Sequence, residues 1–167
     1  ARLWRLLTRH HARRRKRPGR ASRDTITEKT HISQRSDDAD ARKTVGHWEA
    51  DLVICKRSRP VLVLHERKTR ITLMSRLAGK TAAETIATMM ATFRRLDPRM
   101  RGSVTFDNDT SFARHMLLRG MLSATTYFCD AYASWQKGGV ENANGRIRRW
   151  LPRGTDLEEL DEADIQE

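Results

Sequence analysis

The chain has only two cysteines in 167 residues, Cys55 and Cys129, each alone in a hydrophobic segment. Such isolation fits neither a paired-thiolate zinc motif nor a disulfide framework. Both are expected to be buried, reduced thiols, and the home a cytoplasmic one. Long hydrophobic runs are also missing. The longest, such as Val61 to Leu64, are strand-sized, against the roughly 20 residues that a membrane-spanning helix needs. The basic N-terminal stretch has no apolar segment behind it, so no secretory signal is legible. Aromatic residues are sparse at 6%, and hydrophobic residues reach a modest 38%. The length suits one domain plus a tail, with enough chain for a real core.

Base is what the chain has in excess. Lys and Arg number 33 against 21 Asp and Glu, a net charge of +12. The expected partner of such a surface is a polyanion, because neutralising phosphates releases their counterions. Charge divides the chain into three zones. Ala1 to Arg23 carries ten bases and no acid, including Arg13, Arg14, Arg15, Lys16 and Arg17. It reads as a flexible arm that can track phosphates. Asp24 to Thr44 is polar and reads as a linker. A body over 45–154 follows, and an acidic tail, 155–167, has seven acids from Asp156 onward.

Within the body, Trp48 to Cys55, Pro60 to Glu66 and Arg70 to Leu77 have strand character, joined by short polar links in an antiparallel meander. Thr81 and Glu84 are spaced as a capping box, and Ile86, Met89, Met90, Phe93 and Leu96 recur at helical spacing up to Asp97-Pro98. Ser103 to Phe106 is a strand, Ser111 to Leu122 a helix and Thr125 to Cys129 a strand. Val140 to Leu151 is a last helix with Val140, Ala143 and Ile147 on its apolar stripe. The order β-β-β-α-β-α-β-α is that of the ribonuclease H-like α/β fold, a mixed five-stranded sheet flanked by helices.

Three acids stand out. Asp51 lies inside a hydrophobic strand, where an ionised carboxylate needs compensation. Asp107 ends a later strand, the place where α/β folds put their sites. Glu141 lies on the last helix, beside its apolar stripe. Together they offer the hard oxygen ligands that Mg²⁺ or Mn²⁺ prefers. Two such ions about 4 Å apart clamp both oxygens of an in-line phosphoryl displacement. Glu49, two residues before Asp51 and on the same strand face, is a competing ligand; Asp109 and Asp130 are further spare acids. His115 reads as a helix-surface residue and His47 and Trp48 as packing residues.

The stretches GHWEADL (46–52), ERKTR (66–70), VTFDN (104–108) and TYFCDAYASWQKGGVENANGRIRRWLPRGTDL (126–157) resemble the transposases of the insertion-sequence-30 family. The resemblance covers roughly Val45 to Leu157, and its last stretch is highly specific. It implies a ribonuclease H-like core whose Asp-Asp-Glu triad is Asp51, Asp107 and Glu141, with the family's 33 residues between the last two. It implies metal-dependent cleavage and strand transfer of double-stranded DNA at element ends, two Mg²⁺ or Mn²⁺ ions, a homo-oligomer when active and a bacterial, nucleoid-associated setting. It suggests that Lys137 binds a phosphate near the metals, and that Asn142, Asn144, Arg148 and Arg149 line the DNA track.

The run Asp107-Asn108-Asp109-Thr110-Ser111 departs from the family, which has Gly after the Asn and an acid two positions on. Ser134 replaces a common Pro. The helix-turn-helix domains of the family are not visible, so the chain is expected to be truncated at both ends. A catalytically inactive DNA-binding remnant is the alternative reading.

Overall fold

A computed structural model of the chain describes residues 25–56, 59–160 and 165. The basic arm, with Arg14, Arg15, Lys16 and Arg17, lies outside the described residues. Five strands form one sheet: β1 (His47–Ile54), β2 (Pro60–Glu66), β3 (Thr72–Arg76), β4 (Ser103–Phe106) and β5 (Thr125–Phe128). Their spatial order is β3-β2-β1-β4-β5. The first three make the expected antiparallel meander, and β4 and β5 add in parallel beside β1. Among the described residues four α-helices accompany them: α1 (Asp37–Asp40), α2 (Ala82–Arg95), α3 (Met116–Leu122) and α4 (Gly138–Ile147).

Period-two alternation sends each strand's side chains to opposite faces. On one face, Trp48, Ala50, Leu62, Leu64, Val104 and Phe106 meet Ile86, Met89 and Phe93 of α2 and Leu118 of α3 in a core of buried residues. Full burial of such side chains is worth roughly 1.5–3 kcal/mol each. Trp48 packs edge-on against Phe93 with 5.6 Å between ring centroids and donates its Nε1–H to the Met100 carbonyl at 2.7 Å. On the other face, Val53, Val61 and Val63 meet Val140 of α4 and Leu151 in a smaller core.

Helix ends follow local chemistry. Thr81 caps α2 by accepting from the Glu84 N–H. The Glu84 carboxylate reaches further back than a capping box requires, to the N–H groups of Ala78 and Gly79. The helix expected from Ser111 is split: a 3-10 turn, Thr110–Phe112, precedes α3, which ends on Ser123 in the left-handed region. Gly46 has a φ of +92°, and a Cβ there would lie 2.4 Å from the Arg99 carbonyl oxygen, so the entry to β1 requires glycine.

The polar stretch from residue 25 to residue 44, expected as a linker, is pinned to the core. Ile32 and Ala39 are buried. The Phe128 N–H donates to the Thr30 carbonyl, and His31 bridges to Phe128 beside β5. Its few apolar residues are placed one at a time, so they leave no periodic pattern in the sequence. Cys55 and Cys129 are free and buried, as expected.

Candidate active site

Parallel pairing of β1 with β4 brings the two aspartates together. Glu49 stands beside Thr105 in that register. Two residues further along each strand come Asp51 and Asp107, on the same face. Strand alternation alone therefore places both carboxylates under α4. They line a cavity of about 410 Å³ with Asn108, Asp130, Lys137 and Glu141. A larger cavity, about 720 Å³ and walled partly by Met74, Ile147, Trp150 and Leu160, contains none of the three acids.

Lys137 enters the floor of the site from the 3-10 turn that precedes α4. Its ammonium lies 3.5 Å from Asp51 Oδ1 and 3.3 Å from Asp107 Oδ2, and donates to the Ala50 carbonyl at 3.0 Å. The side chain is 4% exposed. It is an internal counter-cation for the aspartate pair and lines the same cavity. Burial pushes the Asp51 carboxyl above its ordinary range; Lys137 pulls it down and Asp107 pushes it up again. Burial also raises the Cys129 thiol, to about 11, so it lines the cavity as an inert group.

Glu141 is exposed on the first turn of α4 and forms no ion pair among the described residues. Its helix is held by Glu49. The Glu49 carboxylate is fully buried, pairs with the guanidinium of Arg67 and accepts from the Val140 N–H at 2.8 Å. Glu49 is thus a positioning residue one peptide away from Glu141, and its ligand capacity is spent on that task. Gly139 is required at the same contact, because a Cβ there would lie 2.8 Å from Glu49 Oε2. The other spare acids are also engaged. Asp109 caps the 3-10 turn through Ser111 and pairs with Lys80. Asp130 binds His31 at 2.7 Å and Gln136 at 2.8 Å.

Asn144 donates from Nδ2 to Asp51 Oδ2 at 2.7 Å, and so orients that carboxylate. Its Oδ1 is buried and has no hydrogen-bond partner. The carboxylate fixes the amide orientation, since a flip would set oxygen against oxygen. Arg148 donates to the carbonyls of Ile54 at 2.9 Å and Leu151 at 3.3 Å, tying the end of α4 to β1. Asn142 and Arg149 are exposed. His115, expected at the surface, is fully buried; its ring nitrogens meet the Thr126 hydroxyl and the Thr27 carbonyl. The segment that supplies Thr27 was read as a linker, so this burial had no signal in the sequence.

The donor chemistry fits a hard divalent cation: carboxylate oxygens, an orphaned amide oxygen and a positive charge already drawn between two of the acids. The spacing is wider than a bound ion requires. Among the described residues, no group of three or more His, Cys, Asp or Glu side chains is close enough to hold a metal. No helix among the described residues is long and apolar enough to cross a membrane.

No protein-family profile matches the chain. Curated relatives do. The transposase of insertion sequence element IS30A from Escherichia coli K12 is 36% identical over 147 residues, 88% of this chain and 38% of the relative. The transposase of IS1086 from Cupriavidus metallidurans CH34 is 35% identical over 149 residues, 86% of this chain and 44% of the relative. That of IS4351 from Bacteroides fragilis is 29% identical over 147 residues, 87% of this chain and 45% of the relative. The chain therefore spans less than half the length of these relatives. Among solved structures, the catalytic core domain of BIV integrase superposes with a TM-score of 0.54 at 17% identity, over 72% of this chain and 78% of that one. That likeness shows the fold, the ribonuclease H-like α/β core with its mixed five-stranded sheet. Over the part it spans, the chain is homologous to transposases of insertion sequence elements such as IS30A and IS1086.

Proposed function

We propose that this chain is the catalytic core, over 45–154, of a transposase that cleaves DNA at insertion-sequence ends and transfers the strand to a target. The observation that carries the proposal is that Asp51, Asp107 and Glu141 line one open cavity while Glu49, Asp109 and Asp130 are committed to structural bonds. Asp51 and Asp107 would hold Mg²⁺ or Mn²⁺ from the sheet, and Glu141 would complete the set from α4. Bound there as a pair, the ions supply Lewis acidity to the attacking and leaving oxygens of the phosphodiester. Asn144 fixes the Asp51 carboxylate, and its free Oδ1 can accept from an ordered water. Glu49 and Arg67 keep Glu141 at the cavity mouth. Double-stranded DNA is the partner, and action on paired ends implies a homo-oligomer.

One observation favours a second reading, a DNA-binding remnant without chemistry: the three acids stand apart, with the Lys137 ammonium between two of them. One experiment separates the readings. Labelled element-end DNA is incubated with Mg²⁺ or Mn²⁺ and either the native chain or Asp51→Asn. Metal-dependent nicking by the native chain that vanishes in the variant supports the enzyme. Binding by both proteins without cleavage by either leaves the remnant.

A further inference from the structure

We propose that the flank of α4 turned away from the three acids carries a second anion site, built for a phosphate group of the DNA backbone. The proposal rests on the DNA-substrate reading and adds where the strand is held. Three arginines from three separate segments line one small polar cavity of about 150 Å³: Arg42 before β1, Arg70 in the turn between β2 and β3, and Arg146 on α4. All three are exposed, and none forms an ion pair among the described residues. An arginine cluster without carboxylates is unusual in a structural role, because like charges repel unless an anion joins them. Arg42 and Arg70 hold φ angles of 55° and 63°, in the left-handed region that side chains rarely adopt, and both turn toward this cavity. Strain of this kind gathers at functional sites.

The rest of the lining suits a phosphate. Gly138 and Asn142 stand one turn apart, four residues along the stripe of α4 that also carries Arg146. Lys137 makes no side-chain bond to the start of this ten-residue helix, and Glu49 takes only the Val140 N–H; a Cβ on Gly138 would meet nothing within 4 Å, so the backbone at Gly138 is open to a ligand. The acids behind the cavity do not neutralise it. Glu49 is paired with Arg67, and Glu66 is saturated by donors from Gly46, His47, Lys68 and Thr69. His65 forms the floor. Burial holds its pKa down; Glu49 and Glu66 raise it, while Arg146 and Arg42 lower it. Glu141 and Asn142 are neighbours on α4, so a strand whose scissile phosphate enters the acid cavity can lay another phosphate into the arginine cavity.

The test uses the whole chain, a duplex of element-end sequence and no divalent metal. Binding is followed by fluorescence anisotropy from low to moderate salt for the native chain and for Arg42→Gln/Arg146→Gln. Each lost phosphate contact lowers the slope of log K against log salt by about 0.9. The double variant is expected to lose about 0.9 from that slope, the share of one phosphate, and to bind about tenfold more weakly at moderate salt, with an unchanged melting temperature. Arg146→Lys restores part of the slope. An unchanged slope in the double variant, with DNA still bound, overturns the arginine site and leaves the DNA reading intact. Failure of the native chain to bind DNA overturns both. A second arm follows the His65 ring by NMR. A shift on adding duplex, lost in the double variant, supports the site. A shift with inorganic phosphate and none with duplex overturns the backbone assignment and leaves a free-phosphate pocket.

Discussion

The two faces of this sheet are written by the same strands in opposite parities, and they obey different rules. On β1, Trp48 and Ala50 face α2; Glu49 and Asp51 face α4. On β4, Val104 and Phe106 face the apolar core, whereas Thr105 accepts a bond from Arg35 and Asp107 meets Lys137. One face stores the larger share of the hydrophobic free energy. The other sets beside its smaller core charges whose burial costs free energy, offset by specific partners. Stability and chemistry are therefore separable by substitution, a division that experiments can break.

The largest expected effect is on chemistry alone. Asp51→Asn is expected to lower metal-dependent cleavage by about a thousandfold, read by the rate of nicking of labelled DNA. Its melting temperature is expected not to fall. Burial raises the Asp51 carboxyl above its ordinary range, so its charge costs stability that the neutral amide does not. A large loss of stability in this variant would break the division. The converse change is Phe93→Ala on the apolar face, where Phe93 is 1% exposed and packs on Trp48. It is expected to lose about 3–5 kcal/mol of stability by urea denaturation. The cleavage rate of the folded fraction should stay within about threefold of native, since the cavity left behind is across the sheet.

Glu49 joins the two rules. Glu49→Gln leaves a buried guanidinium without its charge partner and is expected to destabilise by about 3–5 kcal/mol. Replacing both partners, Glu49→Leu with Arg67→Met, should recover most of that loss, because a well-packed apolar pair can stand in for a buried ion pair. It should not recover cleavage, because the Val140 N–H loses its acceptor and Glu141 its anchor. If the double variant cleaves normally, Glu49 is a stability device only.

Much of this was legible in the chain. Alternating apolar residues marked β1 and β2, the Thr81 and Asp97-Pro98 signals bounded α2, and the order of elements marked the fold. The three carboxylates were only suggestive by position; the resemblance of the stretch 126–157 and the 33-residue spacing singled them out as candidates. What a side chain touches across the sheet was not legible. The resemblance placed Lys137 near the metals, but its part as counter-ion to both aspartates comes only from the parallel approach of β4 to β1. Arg148 and Asn144 bond to backbone and to Asp51 over more than ninety residues of sequence, a separation that no local pattern encodes. The stretch before residue 45 hid its role for a further reason: several of its ties run through backbone carbonyls, which carry no residue identity.

The smallest effect is a pH dependence, and it sharpens the comparison because a histidine sits against the apolar face. His115 is fully buried, edge-on to Phe128 with 4.7 Å between centroids. The Thr27 carbonyl can only accept, so Nε2 carries the proton, and Nδ1 accepts from the Thr126 hydroxyl. The neutral ring is fully satisfied. Burial lowers its pKa below the ordinary 6.5, although the Thr27 carbonyl raises it in part. The unfolded chain thus takes up the proton first. Stability from this group is whole above pH 6.5 and declines as the pH falls through that value toward the folded pKa. His47 and His65 shift in the same direction, again chiefly through burial. Unfolding free energies measured by urea between pH 7.5 and 5.5 should fall with acid, and His115→Gln should reduce that slope by up to about 1.4 kcal/mol per pH unit. An unchanged slope would mean that the ring charges without leaving its place, and that the segment supplying Thr27 opens before the sheet does.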